Sequence, residues 1–235
     1  MSMPRVRRLL AVAVAAGAVG LSAPVGPAQA AVDIPRPAAD YRFTGNLRSS
    51  VGDAPALRNI DTKGARNRFA TETDGARNRR VLRFADGAGL RLNRSPSVVP
   101  RGRYTIAMEV RFDDVSGYVR LVNFQGDAAD TGFYIYAGGL SLYSNGPVGI
   151  ATIDPDEWVT IVATRTGGGR FRAYIDGQMI LDVDDASSTF GVVSAENVLR
   201  FFRDNPNREE SSGAVDRIRL WDSALTTAQV VAISR

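Results

Sequence analysis

The 235-residue sequence contains no cysteine and no histidine, and its only lysine is Lys63. The absence of cysteine excludes a disulfide framework. The absence of histidine excludes a Ser-His-Asp triad, and the two absences together exclude a Cys-His pair and an ordinary zinc site. The composition therefore removes the commonest forms of nucleophilic and zinc-dependent catalysis.

Long hydrophobic runs are also absent. The longest candidate, LLAVAVAAGAVGL (9–21), follows three arginines and precedes Ala28 and Ala30, small residues at the positions that a signal peptidase reads. A membrane span needs about 20 apolar residues, and the run at 9–21 is shorter than that. We therefore predict a signal peptide over residues 1–30, with cleavage after Ala30 and a secreted, extracellular product; an uncleaved membrane anchor is the alternative.

Charge of one sign is scarce once the leader is removed. The leader contains three arginines and no acidic residue, so its removal lowers the formal net charge from +4 to +1. A near-neutral domain favours neither a nucleic-acid partner nor membrane insertion after signal cleavage. The preference for arginine over lysine and the alanine-rich leader are typical of a bacterium with a GC-rich genome.

What the remaining sequence does have is an alternation of apolar and polar residues. In YTIAMEVRF (104–112), every second residue from Tyr104 to Phe112 is apolar, which predicts a half-buried antiparallel strand. Similar runs predict strands at 118–124, 132–137, 140–144, 157–165, 170–176, 178–183, 198–203 and 214–221. Trp158 alternates with Val162 and is expected in the core. Many short strands without intervening helices indicate a sandwich or barrel.

Local signals mark the turns and one helix. The pair Asp176-Gly177 predicts a tight hairpin, because both central positions of that turn need positive φ. Thr226 with Gln229 three residues later forms a capping-box pattern, which predicts a short helix over about 227–233. Residues 31–39, with two prolines, are predicted to be a linker before a domain at 40–235.

The region 58–83 allows two interpretations. The pentapeptide GARNR occurs at 64–68 and again at 75–79, and three more arginines lie nearby. The basic residues would suit an anionic polymer. The simpler interpretation is two solvated turns or strand ends that carry a similar sequence by chance. Two copies are also too few for a repeat architecture.

Five segments together carry a resemblance to a known family: DYRFTGNLRSSVG (40–52), LRFADGAGLRL (82–92), YTIAMEVRF (104–112), DEWVTIVATRTGGGRFRAYIDGQMI (156–180) and VDRIRLWDSALTTAQVV (215–231). The sequence resembles the laminin-G-like, concanavalin A-like lectin/glucanase superfamily, in particular the LamG-type domains of bacterial secreted proteins. The resemblance implies an all-β jelly-roll β-sandwich of two antiparallel sheets with a short C-terminal helix.

Family membership alone does not decide function, because such domains include lectins, adhesion modules, carbohydrate-binding modules and some glycan-cleaving enzymes. We expect a secreted, non-catalytic binding module for a carbohydrate or another extracellular ligand. A structural or adhesive protein-binding domain is the alternative, and a glycoside hydrolase is less favoured.

The resemblance also implies calcium. In related glucanases an aspartate before the last strand helps to bind a structural calcium with groups near the N-terminus, and DRIRL matches that pattern here. Asp216, Asp40 and Gly45 are therefore the candidates for a structural Ca²⁺ site, which needs six to eight oxygens. Asp204 and Asn205, in the acidic segment 203–211, are candidates for a second site on a loop; plain turns are the alternative.

Carboxylates in a catalytic arrangement are not evident. Retaining sandwich glucanases use a Glu-x-Asp-x-(x)-Glu strand, and their two catalytic carboxyls lie about 5–5.5 Å apart. None of the six glutamates is in that pattern: Glu72, Glu109, Glu157, Glu196, Glu209 and Glu210. Glu109 and Asp113 would share a strand face but lie roughly 13 Å apart. We therefore expect no enzyme activity, although a cross-strand pair of acids stays open.

Aromatic residues on outward faces are the candidates for ligand binding, because sugar rings pack on aromatic faces. Tyr134 and Tyr136 alternate with Phe133 and Ile135 and should share a face. Arg217, Arg219 and Trp221 share a face of the last strand. Ordinary packing on the sheet surface is the competing interpretation for both sets.

Overall fold

The computed structural model describes residues 32–61, 64–75, 77–126, 129–143, 152–204 and 209–235. The predicted signal peptide with its cleavage point after Ala30, and the candidate ligand Asn205, lie outside the described residues. Val32–Arg235 forms one compact unit.

The described residues contain fourteen short strands. They are Ala39–Tyr41 (β1), Arg58–Asp61 (β2), Arg68–Asp74 (β3), Arg77–Phe84 (β4), Ala88–Asn93 (β5), Tyr104–Phe112 (β6), Tyr118–Asn123 (β7), Gly132–Tyr136 (β8), Gly139–Tyr143 (β9), Val159–Arg165 (β10), Arg170–Ile175 (β11), Gln178–Asp184 (β12), Val198–Phe201 (β13) and Gly213–Trp221 (β14). The α-helix Thr227–Ile233 (α1) follows β14. In the described part of the chain, no helix is long and apolar enough to cross a membrane.

Two antiparallel sheets form the sandwich. The large sheet has the order β12-β11-β10-β6-β14-β4-β3, and β1 also pairs with β14. The small sheet has the order β2-β5-β13-β7-β8-β9. This arrangement confirms the predicted jelly-roll class. The first strand pairs with the last, with Asp40 opposite Arg219, as expected for a fold that brings its ends together.

The main core lies between the sheets. Alternate residues of β6, including Ile106, Met108 and Val110, point into it and are fully buried. Phe133 and Ile135 of β8 reach the same core from the small sheet. The alternation of the sequence therefore corresponds to an inner and an outer face of each sheet.

The large sheet is also covered on part of its outer face, the face turned away from the small sheet. There α1 packs over Ala107, Val162, Tyr174 and Trp221 and forms a second apolar cluster with them. The prediction that β6 is half-buried is wrong for this reason: eight of its nine residues are buried.

Two local predictions are confirmed. Asp176 and Gly177 have φ values of +49° and +82° and join β11 directly to β12. The hydroxyl of Thr226 accepts from the backbone N–H of Gln229, and the Gln229 side chain accepts from the backbone N–H of Thr226. This capping box starts α1 at Thr227.

One other expectation, that Trp158 lies in the core, needs correction, and the predicted linker has contacts that the sequence did not indicate. The predicted linker is attached to the sandwich: the carbonyl of Pro35 accepts from Trp221 Nε1 at 2.8 Å, and that of Asp33 accepts from Gln229 Nε2 at 2.8 Å. Trp158 is half-buried and lies outside both apolar clusters. It lies two residues before the outward-facing Thr160, which places it on the outer face of the large sheet.

Candidate functional site

Four tyrosines from three neighbouring strands gather on the outer face of the small sheet: Tyr118, Tyr134, Tyr136 and Tyr143, here called the tyrosine cluster. Tyr118 of β7 lies opposite Tyr136 of β8, and their ring centroids are 4.1 Å apart in a stacked arrangement. Tyr143 of β9 packs edge-on against Tyr118 and Tyr134, at 5.6 and 5.9 Å. Tyr136 is 38% exposed, whereas Tyr134 is fully buried.

Sequence reasoning selected Tyr134 and Tyr136, and the structure does place them on one face. It missed Tyr118 and Tyr143, although both occur in runs with strand periodicity. Their proximity depends on the register between β7, β8 and β9, including an irregularity in the β7–β8 pairing between Arg120 and Val122. Neighbouring residues along the chain carry no signal for that register.

Arg120 lies beneath the cluster and holds it in place. Its side chain is fully buried, and its Cζ lies 3.9 Å from the centroid of the Tyr134 ring. Its Nε donates to Asp204 Oδ1 at 2.8 Å, its Nη2 to Asp130 Oδ1 at 2.9 Å, and its Nη1 to the carbonyl of Thr131 at 2.6 Å. Charge-assisted bonds of this kind define the position of a buried side chain.

Three carboxylates meet beside Arg120. Asp130, Asp204 and Glu209 each bring an oxygen within 4.8 Å of the others. Burial raises the pKa of Glu209, and the neighbouring charges of Asp204 and Asp130 raise it further. The phenol of Tyr134 donates to Asp130 Oδ1 at 2.9 Å, and burial raises the pKa of this phenol, which keeps its proton. One guanidinium therefore faces three carboxylates next to the aromatic rings.

The carboxylates of Asp130, Asp204 and Glu209 fit a divalent cation in charge and in donor type. Calcium takes carboxylate oxygens, and Arg120 balances only one of the three negative charges. Asp204 and Glu209 of the acidic segment 203–211 lie in this group, and the structure adds Asp130 to them.

The first predicted calcium site, Asp216 with Asp40 and Gly45, fits an ion less well. Asp40 accepts from Arg217 Nε at 2.8 Å and from Arg42 Nε at 2.9 Å. Burial alone would raise the pKa of Asp40, but the hydrogen bonds and charges of these arginines outweigh it and lower the pKa. Asp216 accepts from Arg79 Nη1 at 2.9 Å. Arginines thus occupy both carboxylates, and Gly45 lies in an exposed turn with φ of +113°.

The other predicted ligand-binding residues lie on the opposite side of the sandwich. Trp221 is 1% exposed and packs under α1, so that its ring has no free face for a sugar. Arg219 donates to the carbonyl of Ile233 at 2.9 Å, and Arg217 pairs with Asp40. These contacts attach the last strand to α1 and to the first strand.

The two acids considered for catalysis have arginine neighbours. Glu109 lies 3.7 Å from Arg79 and 3.9 Å from Arg219, and Asp113 lies 3.1 Å from Arg83 and 2.9 Å from Arg111. Arg111 lies between them in the sequence of β6. Within the described residues, these two carboxylates therefore lie next to arginines and are not paired with each other.

The two GARNR copies lead into the neighbouring strands β3 and β4. From this hairpin Arg79 pairs with Asp74 and Asp216, and Arg83 pairs with Glu72 and Asp113. The charges of Arg79 and Arg83 are therefore compensated within the protein.

Comparison with known proteins places this fold. A family model described as the concanavalin A-like lectin/glucanases superfamily matches residues 84–231. No curated protein matches the chain. Domain 4 of AbnA, an extracellular GH43 arabinanase of Geobacillus stearothermophilus solved with arabinotriose, is similar over 86% of this chain and 100% of its own, with a TM-score of 0.66 and 18% identity.

Two toxin structures are also similar. The binding domain of botulinum neurotoxin DC, solved with rat synaptotagmin II, matches 84% of this chain and 51% of its own, with a TM-score of 0.58 and 10% identity. A structure of botulinum neurotoxin type C, described for its interaction with two ganglioside molecules, matches 83% and 50%, with the same TM-score and identity. The chain thus spans about half the length of these toxin chains. At such identities the likeness shows the fold.

Proposed function

Because the chain belongs to the concanavalin A-like lectin/glucanases superfamily, we propose that it is a secreted, non-catalytic module that binds carbohydrate through the tyrosine cluster. The observation that carries this proposal is the convergence of four tyrosines from three strands on one outer face, with Tyr136 exposed and the others packed around it. Rigid, partly exposed aromatic rings give a sugar ring an apolar surface at low entropic cost.

The polar groups beside the rings suit sugar hydroxyls. Carboxylates accept hydrogen bonds from hydroxyl groups, and Asp130 is 61% exposed in its side chain. Without a bound cation, three carboxylates against one buried arginine leave the site negative, which disfavours uronic acids and sulfated sugars. We therefore expect a neutral glycan as the ligand.

The similar proteins support a ligand of this class without identifying it. The arabinanase domain was solved with arabinotriose, and the type C neurotoxin structure concerns gangliosides. The predicted signal peptide would deliver the domain to the place where such glycans occur.

Calcium forms the second element of the proposal. When bound, the ion would supply a Lewis-acidic centre that orients hydroxyl groups, and Asp130, Asp204 and Glu209 would hold it. Melting temperatures measured with millimolar Ca²⁺ and with chelator test this element. Equal values would remove calcium from the proposal and leave the aromatic surface.

A glycan array followed by calorimetry tests carbohydrate binding. The double variant Tyr118→Ala/Tyr136→Ala should lose at least about tenfold in affinity, which corresponds to about 1.4 kcal/mol. Phe69→Ala is the matched control, because Phe69 is 39% exposed and lies on β3 of the other sheet. Its affinity should equal that of the wild type.

The alternatives give different results. Silence across the array, combined with binding to an extracellular protein, would favour the adhesive function. Release of reducing ends from a bound polysaccharide, abolished in Glu109→Gln, would show that the domain is a hydrolase.

A further inference from the structure

Trp158 marks a second surface with the properties of a binding site. It precedes β10 on the outer face of the large sheet, so the two sheets separate it from the tyrosine cluster. It lines an open cleft of about 420 Å³, here called the Trp158 cavity, together with Glu72, Arg111 and Asp156, among others, and also a smaller one of about 50 Å³. The larger volume lies in the range of roughly 300–1,000 Å³ that is typical of small-molecule sites.

One cation packs against the indole. The Cζ of Arg79 lies 5.1 Å from the centroid of the Trp158 ring, and Arg79 lines only the smaller cavity. Arg79 is itself held by Asp74 at 3.0 Å and by Asp216 at 2.9 Å. A fixed cation therefore packs against the ring. Trp158 also lines the larger cavity, and Arg79 is not part of that cavity's lining.

The charged walls of the larger cavity are paired with one another. Glu72 lies 2.6 Å from Arg83 and 3.2 Å from Arg111. Arg111 also bonds to Asp156, whose side chain is 73% exposed and whose φ is +64°. Because each of these carboxylates faces a guanidinium, an ionic ligand gains little here.

Paired ions still offer hydrogen bonds. A carboxylate has about four acceptor positions and a guanidinium has five N–H groups, so that both types of group keep capacity after pairing. A hydroxyl group donates to the former and accepts from the latter. Together with an aromatic ring, such walls match a neutral ligand that has many hydroxyls and an apolar ring face.

We propose that the Trp158 cavity is a second binding site, specific for a neutral saccharide, on the face opposite the tyrosine cluster. The inference rests on Trp158 and its cavity and does not require the tyrosine cluster to bind anything.

Intrinsic fluorescence can report on this site alone. The chain has two tryptophans, and Trp221 is 1% exposed with its Nε1 bonded to Pro35. We would titrate Tyr118→Ala/Tyr136→Ala with arabinotriose, xylotriose and cellotriose, and with trigalacturonate as the anionic comparison, to about 10 mM, tenfold above a millimolar Kd. A neutral trisaccharide should change the emission, and trigalacturonate should bind at least about tenfold more weakly.

Variants at the cavity complete the test by calorimetry. Trp158→Phe should remove the emission change and weaken binding at least about tenfold, with an unchanged melting temperature. Asp156→Ala should weaken binding by about tenfold, as expected for a lost hydrogen bond to a charged group. Glu157→Gln is the matched control, because Glu157 is exposed beside Trp158 and lines neither cavity, and its affinity should not change.

Three results would overturn the inference: no emission change with any neutral trisaccharide, a response confined to trigalacturonate, or a response of the wild type that disappears in the tyrosine double variant. The last result would leave the tyrosine cluster as the binding surface. Conversely, a Trp158 response that persists in the double variant would stand even if the tyrosine cluster bound no glycan.

Discussion

Replacing Arg120 with methionine should destabilise the protein strongly, because this one residue connects the fold to the tyrosine cluster. Its side chain is fully buried, and that of its partner Asp204 is 5% exposed. Methionine keeps much of the length and removes the charge, which leaves Asp204 buried without its guanidinium. Breaking a buried ion pair in this way costs about 3–5 kcal/mol.

The second partner of Arg120, the exposed Asp130, adds little to this free-energy cost. Asp130 has a side chain that is 61% exposed, and pairs of this kind contribute about 1 kcal/mol or less. For a domain of this size, 1 kcal/mol shifts the melting temperature by about 2–4 °C, so we expect a decrease of about 6–20 °C.

The loss should depend on pH, and its sign follows from Glu209. Burial and the charges of Asp204 and Asp130 raise the pKa of Glu209, whereas the charge of Arg120 lowers it. Without Arg120 the folded-state pKa rises further. Stability that depends on a raised pKa is present at low pH and is lost as the pH rises. The destabilisation should therefore be larger at pH 7 than at pH 4.

Urea unfolding with chelator, at both pH values, measures the effect. Arg91→Met is the matched control, because Arg91 is an exposed arginine on β5 of the same sheet and should cost no more than about 0.5 kcal/mol. A loss below about 1 kcal/mol for Arg120→Met, or equal losses at pH 4 and pH 7, would refute the reasoning.

Three further predictions concern stability. Glu209→Gln in chelator should stabilise the protein at pH 7, because the raised pKa of Glu209 means that its charged form is unfavourable in the folded state. The gain in stability should vanish as the pH falls below the ordinary glutamate pKa of about 4.3. A variant that is less stable than the wild type at pH 7 would contradict the raised pKa. Gly132→Ala should cost about 1–3 kcal/mol of stability, because the added Cβ would lie 2.4 Å from Arg120 Nη1 and 2.7 Å from the carbonyl oxygen of Val122. Gly117→Ala is the control, because its Cβ would meet no atom within 4 Å. Thermal melting should show a loss of stability for the first variant and none for the second. Thr226→Ala should cost about 1 kcal/mol in urea unfolding through loss of the helix cap, and Thr226→Ser should restore nearly all of it; equal costs would exclude the capping box as the cause.

The sequence by itself determined the features that depend on neighbours a few residues away. The hairpin at Asp176-Gly177 and the cap at Thr226 are decided by backbone conformations and hydrogen bonds within four residues. The strand periodicity of 104–112 matches β6 because side chains alternate between the faces of a strand regardless of its partners. The resemblance to the superfamily added the sandwich of two antiparallel sheets.

Only the tertiary structure decided which residues are free to bind. Trp158 and Trp221 both belong to strand-like segments, yet α1 covers Trp221 and leaves Trp158 half-buried beside a cavity. Asp216 looked like a calcium ligand, but Arg79 reaches it from a strand 137 residues away in the chain. Tyr118 and Tyr143 join Tyr136 through strand register. Burial and pairing of this kind depend on the side chains that other strands bring into contact, and no local pattern contains that information.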